Sequence, residues 1–113
     1  MTVETTFGYS TEDDDGVLRV FGEIDVATAP ALRDPLLALA HRQSPYGVVD
    51  MTEVSFIDST GLSALVTARK RLLTEGCDLR LVINRPNVRK VFDVTGLSDF
   101  FDIYPSVREA VAA

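Results

Sequence analysis

The sequence predicts an α/β fold, in which an initial β-hairpin is followed by alternating strands and helices, giving a mixed sheet with helices packed against it. Three observations lead there. Residues 2–24 hold two stretches of alternating apolar and polar residues on either side of a polar turn, the pattern of a hairpin. From residue 28 onward, segments of helical period alternate with short apolar runs, which calls for parallel crossovers and a sheet covered by helices. The length of 113 residues suits one domain, taken here as 1–113, with a core large enough to need no disulfide or metal staple.

In the first stretch, Val3, Thr5, Phe7 and Tyr9 alternate with Thr2, Glu4 and Thr6, as in a half-buried strand. "STEDDDG" follows as a turn, with Asp13–Asp15 at its solvated tip and Gly16 free to take positive φ. Residues 17–24 read as the returning strand, with Leu18, Val20 and Ile24 on one face. Thr28 is expected to cap a first helix with Pro30 early in it and Leu32, Leu36 and Leu39 as its apolar stripe. Pro35 interrupts that pattern. Either the helix kinks there or it restarts with Asp34 as cap and Pro35 as first residue, and both remain open at this point.

"YGVVDM", residues 46–51, reads as a central strand buried on both faces, and "TEVSFID" as the crossover to a helix at 59–75. Leu62, Leu65, Val66, Leu72 and Leu73 make that helix's inner stripe, and Gly76 ends it. The neighbouring Arg69, Lys70 and Arg71 are expected to form a solvated face. "DLRLVI" at 78–83 is the next strand. Pro86 opens a helix with Val88, Val91 and Phe92 inward, Gly96 stops it, and Leu97 supplies the apolar residue expected after a glycine cap. "FFDIY" is a short last strand, and Ser106 to Glu109 a capping box for a terminal helix.

Composition narrows the function. Seventeen acids against eleven bases leave a net charge of −6, and the bases lie scattered. Phosphate-neutralising nucleic-acid binding wants a basic stripe, so it is not expected. No apolar run is long enough to cross a bilayer, and the N-terminus lacks a signal-peptide pattern. A lone cysteine, Cys77, excludes an internal disulfide and fits a reducing compartment, so a cytoplasmic protein is expected, with Cys77 structural. There is no phosphate-binding glycine loop and no metal-ligand cluster, so no cofactor or metal is expected. His41 is the single histidine and sits beside Arg42 near a helix end, where it complements the helix dipole. Ser59 lacks the Gly-x-Ser-x-Gly setting of an esterase nucleophile, since Ile57 stands two residues before it. An enzyme is therefore not expected.

Chemistry is best placed at the strand-to-helix junction Ile57–Gly61, because functional groups in open α/β sheets gather where strands end and helices begin. A helix N-terminus presents free N–H groups and a partial positive charge that favour an anion. A phosphate on Ser59 would suit its own helix. The plainer reading is that Asp58 or Ser59 caps the helix and Gly61 allows close packing. Asp50 suggests a rival, the phosphoacceptor aspartate of a receiver domain. The acidic pair after the first strand and the lysine after a late strand are missing, and a receiver does not begin with a hairpin, so this reading stands behind the other.

Together, "GEIDVATAP" (22–30), "VVDMTEVSFIDSTGL" (48–62) and "VRKVFDVTGL…FDIYPSVREAV" (88–111) resemble the STAS domain, and more narrowly the bacterial anti-sigma factor antagonists. The similarity covers nearly the whole chain, and Asp58-Ser59-Thr60-Gly61 is its most specific element. The resemblance implies a protein that binds an anti-sigma factor, itself a serine kinase, and so frees a sigma factor. It further implies that the kinase phosphorylates Ser59, that a phosphatase resets the switch, and that Gly22-Glu23-Ile24-Asp25 contributes to partner contact near that serine. Glu23, Asp25, Thr28, Asp58, Ser59, Thr60 and Gly61 are the expected contact residues, on a protein expected to be a monomer. Asp25 is equally read as the cap of a turn, Glu23 as a solvent-facing acid, and Asp50 as the residue that orders the loop after its strand. STAS domains also serve as scaffolds or small-ligand sensors outside sigma-factor pathways, and that is the alternative function.

Overall fold

A computed structural model describes residues 7–10 and 16–113. The rest of the expected first strand, residues 2–6, and the acidic tip Asp13–Asp15 lie outside the described residues. Five strands form one sheet in the order β1-β2-β3-β4-β5: β1 (Phe7–Ser10), β2 (Val17–Ile24), β3 (Tyr46–Ile57), β4 (Asp78–Val82) and β5 (Asp102–Tyr104). β1 pairs antiparallel with β2 as the hairpin predicts, and Gly16 takes φ +76° before β2 begins. The other pairings are parallel. Parallel crossovers are right-handed almost without exception, and strands stepping in one direction then put every crossover on the same face.

The core follows that rule. Leu18, Val20, Val49, Met51, Leu79 and Leu81 turn to one face and pack against Leu32, Leu36 and Leu39 of the first crossover, α2 (Ser59–Leu73) and α3 (Pro86–Val94). On the other face Val17, Val48 and Val82 meet Ala110 of α4 (Val107–Ala112), with Tyr46 and Tyr104 alongside. A helix of six residues does not stand alone in water, so α4 depends on this contact. Arg80 holds it: its guanidinium lies 3.6 Å from the Tyr46 ring centroid and donates to the Ala110 and Ala113 carbonyls at 2.8 and 3.0 Å. At the other end of α4, Ser106 Oγ accepts from the Glu109 N–H at 3.2 Å, one half of the expected box.

Five expectations need correction. The first crossover is not one helix. It is a 3₁₀ turn (Ala29–Leu32), a short α1 (Arg33–Leu37) and a second 3₁₀ segment (Ala38–Arg42). The helix restarts, but at Leu32 and not at Asp34, which leaves Pro35 third in α1. In the first turn an N–H has no intrahelical partner to lose, so the proline is tolerated there.

Next, β3 does not stop at Met51. It continues to Ile57, and 10 residues of it, Val48–Ile57, run beside the 8 of β2 because the register slips twice. The expected crossover segment is thus bulged strand. Asp50 sits in mid-strand at the first slip, where its carboxylate accepts the Thr52 N–H at 3.0 Å. It orders a bulge, not a loop after the strand, and it is not at a strand's C-terminal tip as a receiver's acceptor would be.

Leu73 is exposed, because the stripe of α2 drifts round the helix after Leu72. Arg69 does not belong to a solvated face. Its guanidinium pairs with Asp78 at 2.8 Å and lies 4.7 Å from the Phe100 ring centroid, while Lys70 and Arg71 are exposed as expected.

Both glycine stops hold. Gly76 and Gly96 have φ +76° and +79°, and the following N–H groups of Cys77 and Leu97 reach back to Leu72 O and Phe92 O at 3.0 and 2.9 Å. This is the Schellman arrangement, in which the residue after the glycine packs into the core. Cys77 does so, and burial pushes its thiol pKa up, with Asp78 and Glu75 adding to the shift.

Candidate functional site

The junction between β3 and α2 is built by two local devices. Asp58 is the N-cap of α2, with extended backbone, and its carboxylate accepts the Gly61 N–H at 3.0 Å. The cap is therefore Asp58, and Ser59 is the first helical residue, with no hydrogen bond to its hydroxyl demanded by the fold. Both Ser59 and Thr60 are exposed. Gly61 is buried, and a Cβ there would lie 2.8 Å from Ile24 Cγ2, 2.8 Å from Ile57 Cγ1 and 3.0 Å from Ile24 O. The start of α2 thus rests directly on the end of β2. The Asp58 N–H donates to Ile24 O at 3.1 Å, which ties the same two segments together.

That tie brings the second expected segment to the first. After β2 the chain turns through Asp25–Thr28. The Asp25 carboxylate accepts the N–H groups of Ala27 and Thr28 at 2.9 and 3.1 Å, and Thr28 Oγ1 donates to Glu23 O at 2.7 Å while accepting the Asp25 N–H at 2.9 Å. The sequence predicts Thr28 as a side-chain cap of the first helix, but it makes no such bond. Its hydroxyl is used backwards, to close the turn. Asp25 is the turn's anchor, with its carboxylate oriented by two backbone donors, and Glu23 is exposed. Gly22, at φ +93°, lets β2 bend into this turn at its second register slip with β3.

The sequence-predicted residues therefore converge. Glu23, Asp25 and Thr28 form one side of a surface, and Asp58, Ser59 and Thr60 the other, with Gly61 and Ile24 as the packed joint between them. Two features were missed. Val26, in the middle of the Asp25–Thr28 turn, is 71% exposed. On the far flank, Thr95 and Leu97 of the turn after α3 share a shallow depression with Ser59, Leu62, Ser63 and Val66. Val26 could have been noticed as an apolar residue stranded between turn formers. Nothing local marks Thr95 as a neighbour of Ser59, since only the sheet order puts α3 beside α2.

Electrostatically the junction is mixed. The partial positive charge of a 15-residue helix converges on Ser59 and Thr60, while Asp58, Asp25 and Glu23 supply formal negative charge nearby. Among the described residues, no group of His, Cys, Asp and Glu could hold a metal ion. Among the same residues no helix is long and apolar enough to cross a membrane.

Comparison with known proteins gives a consistent answer. The family model described as STAS domain matches residues 9–110. An anti-sigma-B factor antagonist of Bacillus subtilis (strain 168) is 36% identical over 91 residues, 80% of this chain and 83% of that protein. One from Listeria monocytogenes is 38% identical over 84 residues, 74% of each. A crystal structure of an anti-sigma factor antagonist from Mycobacterium paratuberculosis superposes with a TM-score of 0.83 at 32% identity, covering 99% of this chain and 97% of that one. With its hairpin, four-strand parallel stretch and Asp-Ser-Thr-Gly helix start all in place, the chain belongs to the STAS domain family, among the bacterial anti-sigma factor antagonists.

Proposed function

We propose that this protein binds an anti-sigma factor that is also a serine kinase, thereby freeing a sigma factor, and that phosphorylation of Ser59 ends the interaction. The reading takes residues 1–113 as one such regulatory domain with no chemistry of its own, and a separate phosphatase restores the hydroxyl. Residues Glu23, Asp25, Thr28, Asp58, Ser59, Thr60 and Gly61 form or support the contact surface. The observation that carries the proposal is the division of labour at the helix start. Asp58 does the capping, so the Ser59 hydroxyl is exposed and structurally idle. A phosphate there meets the positive end of α2 and leaves the fold intact. For the partner, roughly two added negative charges beside Asp58 replace a neutral hydroxyl. Regulation then acts on the interface and not on folding.

The test is incubation with candidate anti-sigma kinases and ATP, followed by mass mapping of the tryptic peptide Gln43–Arg69. A phosphate on Ser59, its absence in Ser59→Ala, and its persistence in Thr60→Ala are expected. A phosphate mapped to Thr60 in the wild type would overturn the assignment. Ser59→Ala should still bind the partner and act as a permanently active antagonist.

A further inference from the structure

Beside α2, on the side facing the first crossover, runs a groove of about 320 Å³. Its floor and walls include Pro30, Leu37, Ala64 and Ala68, and two arginines line it, Arg33 from α1 and Arg71 from the last turn of α2. No acid lines it, although the chain as a whole carries a net charge of −6. The arginines are uncommitted. Arg33 reaches only the exposed Asp34, in a single contact of 3.3 Å, and no ion pair engages Arg71 among the described residues. The small side chains Ala64 and Ala68 leave space in the groove that larger residues would fill.

We propose that this groove is a binding site for a small amphipathic carboxylic acid, whose apolar body lies along Leu37, Ala64 and Ala68 and whose carboxylate is taken by Arg33 and Arg71. Small-molecule sites are mostly apolar with a few convergent polar groups, and a volume near the low end of their usual range excludes large ligands. Guanidinium groups match carboxylates in shape as well as charge. An inorganic anion gains nothing from the apolar floor, and a neutral or cationic amphiphile gains nothing from the arginines. Ser59 does not line the groove, although its neighbour Thr60 does; the proposal needs no phosphorylation, so it stands whether or not Ser59 is modified.

The experiment is a titration of the ¹⁵N-labelled full-length protein with decanoate, octanoate and decanol, read by amide chemical-shift changes. Saturable shifts from decanoate are expected, clustered on the first crossover and on α2 from Thr60 to Arg71. Octanoate, two methylenes shorter, should bind weaker by on the order of tenfold, and decanol weaker than decanoate by about tenfold or more. Arg71→Gln, an exposed change that leaves the fold alone, should weaken decanoate to the level of decanol. Ala64→Leu should block it, with melting temperature as the check on folding. The proposal is overturned if decanoate gives no saturable shifts or decanol binds equally well. It is also overturned if Arg71→Gln changes nothing, or if the shifts fall on the exposed sheet residues Phe21 and Phe56.

Discussion

The two ends of α2 are built to opposite purposes. At its start a single carboxylate, Asp58, caps the helix and leaves the Ser59 and Thr60 hydroxyls facing water. Near its end the side chains that face the sheet are engaged. Arg69 is gripped by Asp78 through bonds of 2.8 and 3.4 Å and covered by Phe100, and Gly76 turns the chain so that Cys77 drops into the core. The difference teaches where a protein can afford a covalent switch. A group can be added where the fold makes no use of the side chain, and the rest of the element must be anchored elsewhere.

The sharpest way to break this comparison is at the start of the helix. Ser59→Asp should weaken binding to the anti-sigma partner a hundredfold or more, about 3 kcal/mol, because a misplaced charge is costly at an interface. Its melting temperature should barely move, since the helix end favours the charge by only about 0.3–1 kcal/mol and Asp58 opposes it. Undiminished binding in a calorimetric titration would show that the exposed hydroxyl is not at the interface.

Gly61→Ala tests the packed joint beneath the proposed switch. Its Cβ has no room against Ile24 and Ile57, so urea unfolding should show a loss of about 1–3 kcal/mol. A neutral result would mean that α2 can slide off β2 freely, and the idea of a rigid platform under Ser59 would go with it.

At the opposite end, Asp78→Asn should cost about 1 kcal/mol at neutral pH, a modest figure because a third of the Asp78 side chain faces water. The hydrogen bond from Arg69 is the largest of the effects that hold the Asp78 carboxyl below its ordinary pKa. A carboxylate with a depressed folded-state pKa stabilises the fold fully above its unfolded value, and loses that contribution as pH falls through the folded one. The wild type's advantage over Asp78→Asn should therefore be constant near neutrality, begin to shrink near pH 4, and vanish below it. Denaturant midpoints of both proteins between pH 7 and 2 check this.

The smallest effect separates the neighbours within the basic cluster. Lys70→Gln should change stability by less than about 0.5 kcal/mol, whereas Arg69→Gln should cost at least as much as Asp78→Asn, because it breaks the same pair and also removes the contact with Phe100. Equal, negligible effects at 69 and 70 would restore the solvated face that the sequence alone suggests.

Much of this was legible from local pattern. The strand at 17–24, the helix start at Asp58–Gly61, the glycine stops at 76 and 96 and the box at Ser106 all depend on residues a few positions apart, where backbone sterics and caps act directly. The hairpin followed by crossovers also called for a mixed sheet with parallel connections, while the strand order β1-β2-β3-β4-β5 came from the packing. Tertiary contacts decided the rest. The length of β3 rests on bulges stabilised by Asp50 and by pairing with β2. Arg69 is committed because β4 and the segment before β5 bring Asp78 and Phe100 to it, while Leu73, next to the buried Leu72, is exposed. The closeness of the Asp25–Thr28 turn to Ser59 depends on the missing Cβ of Gly61 and one hydrogen bond to Ile24. Short-range chemistry names the residues of a site in the sequence, but only the packed sheet sets which of them share a surface.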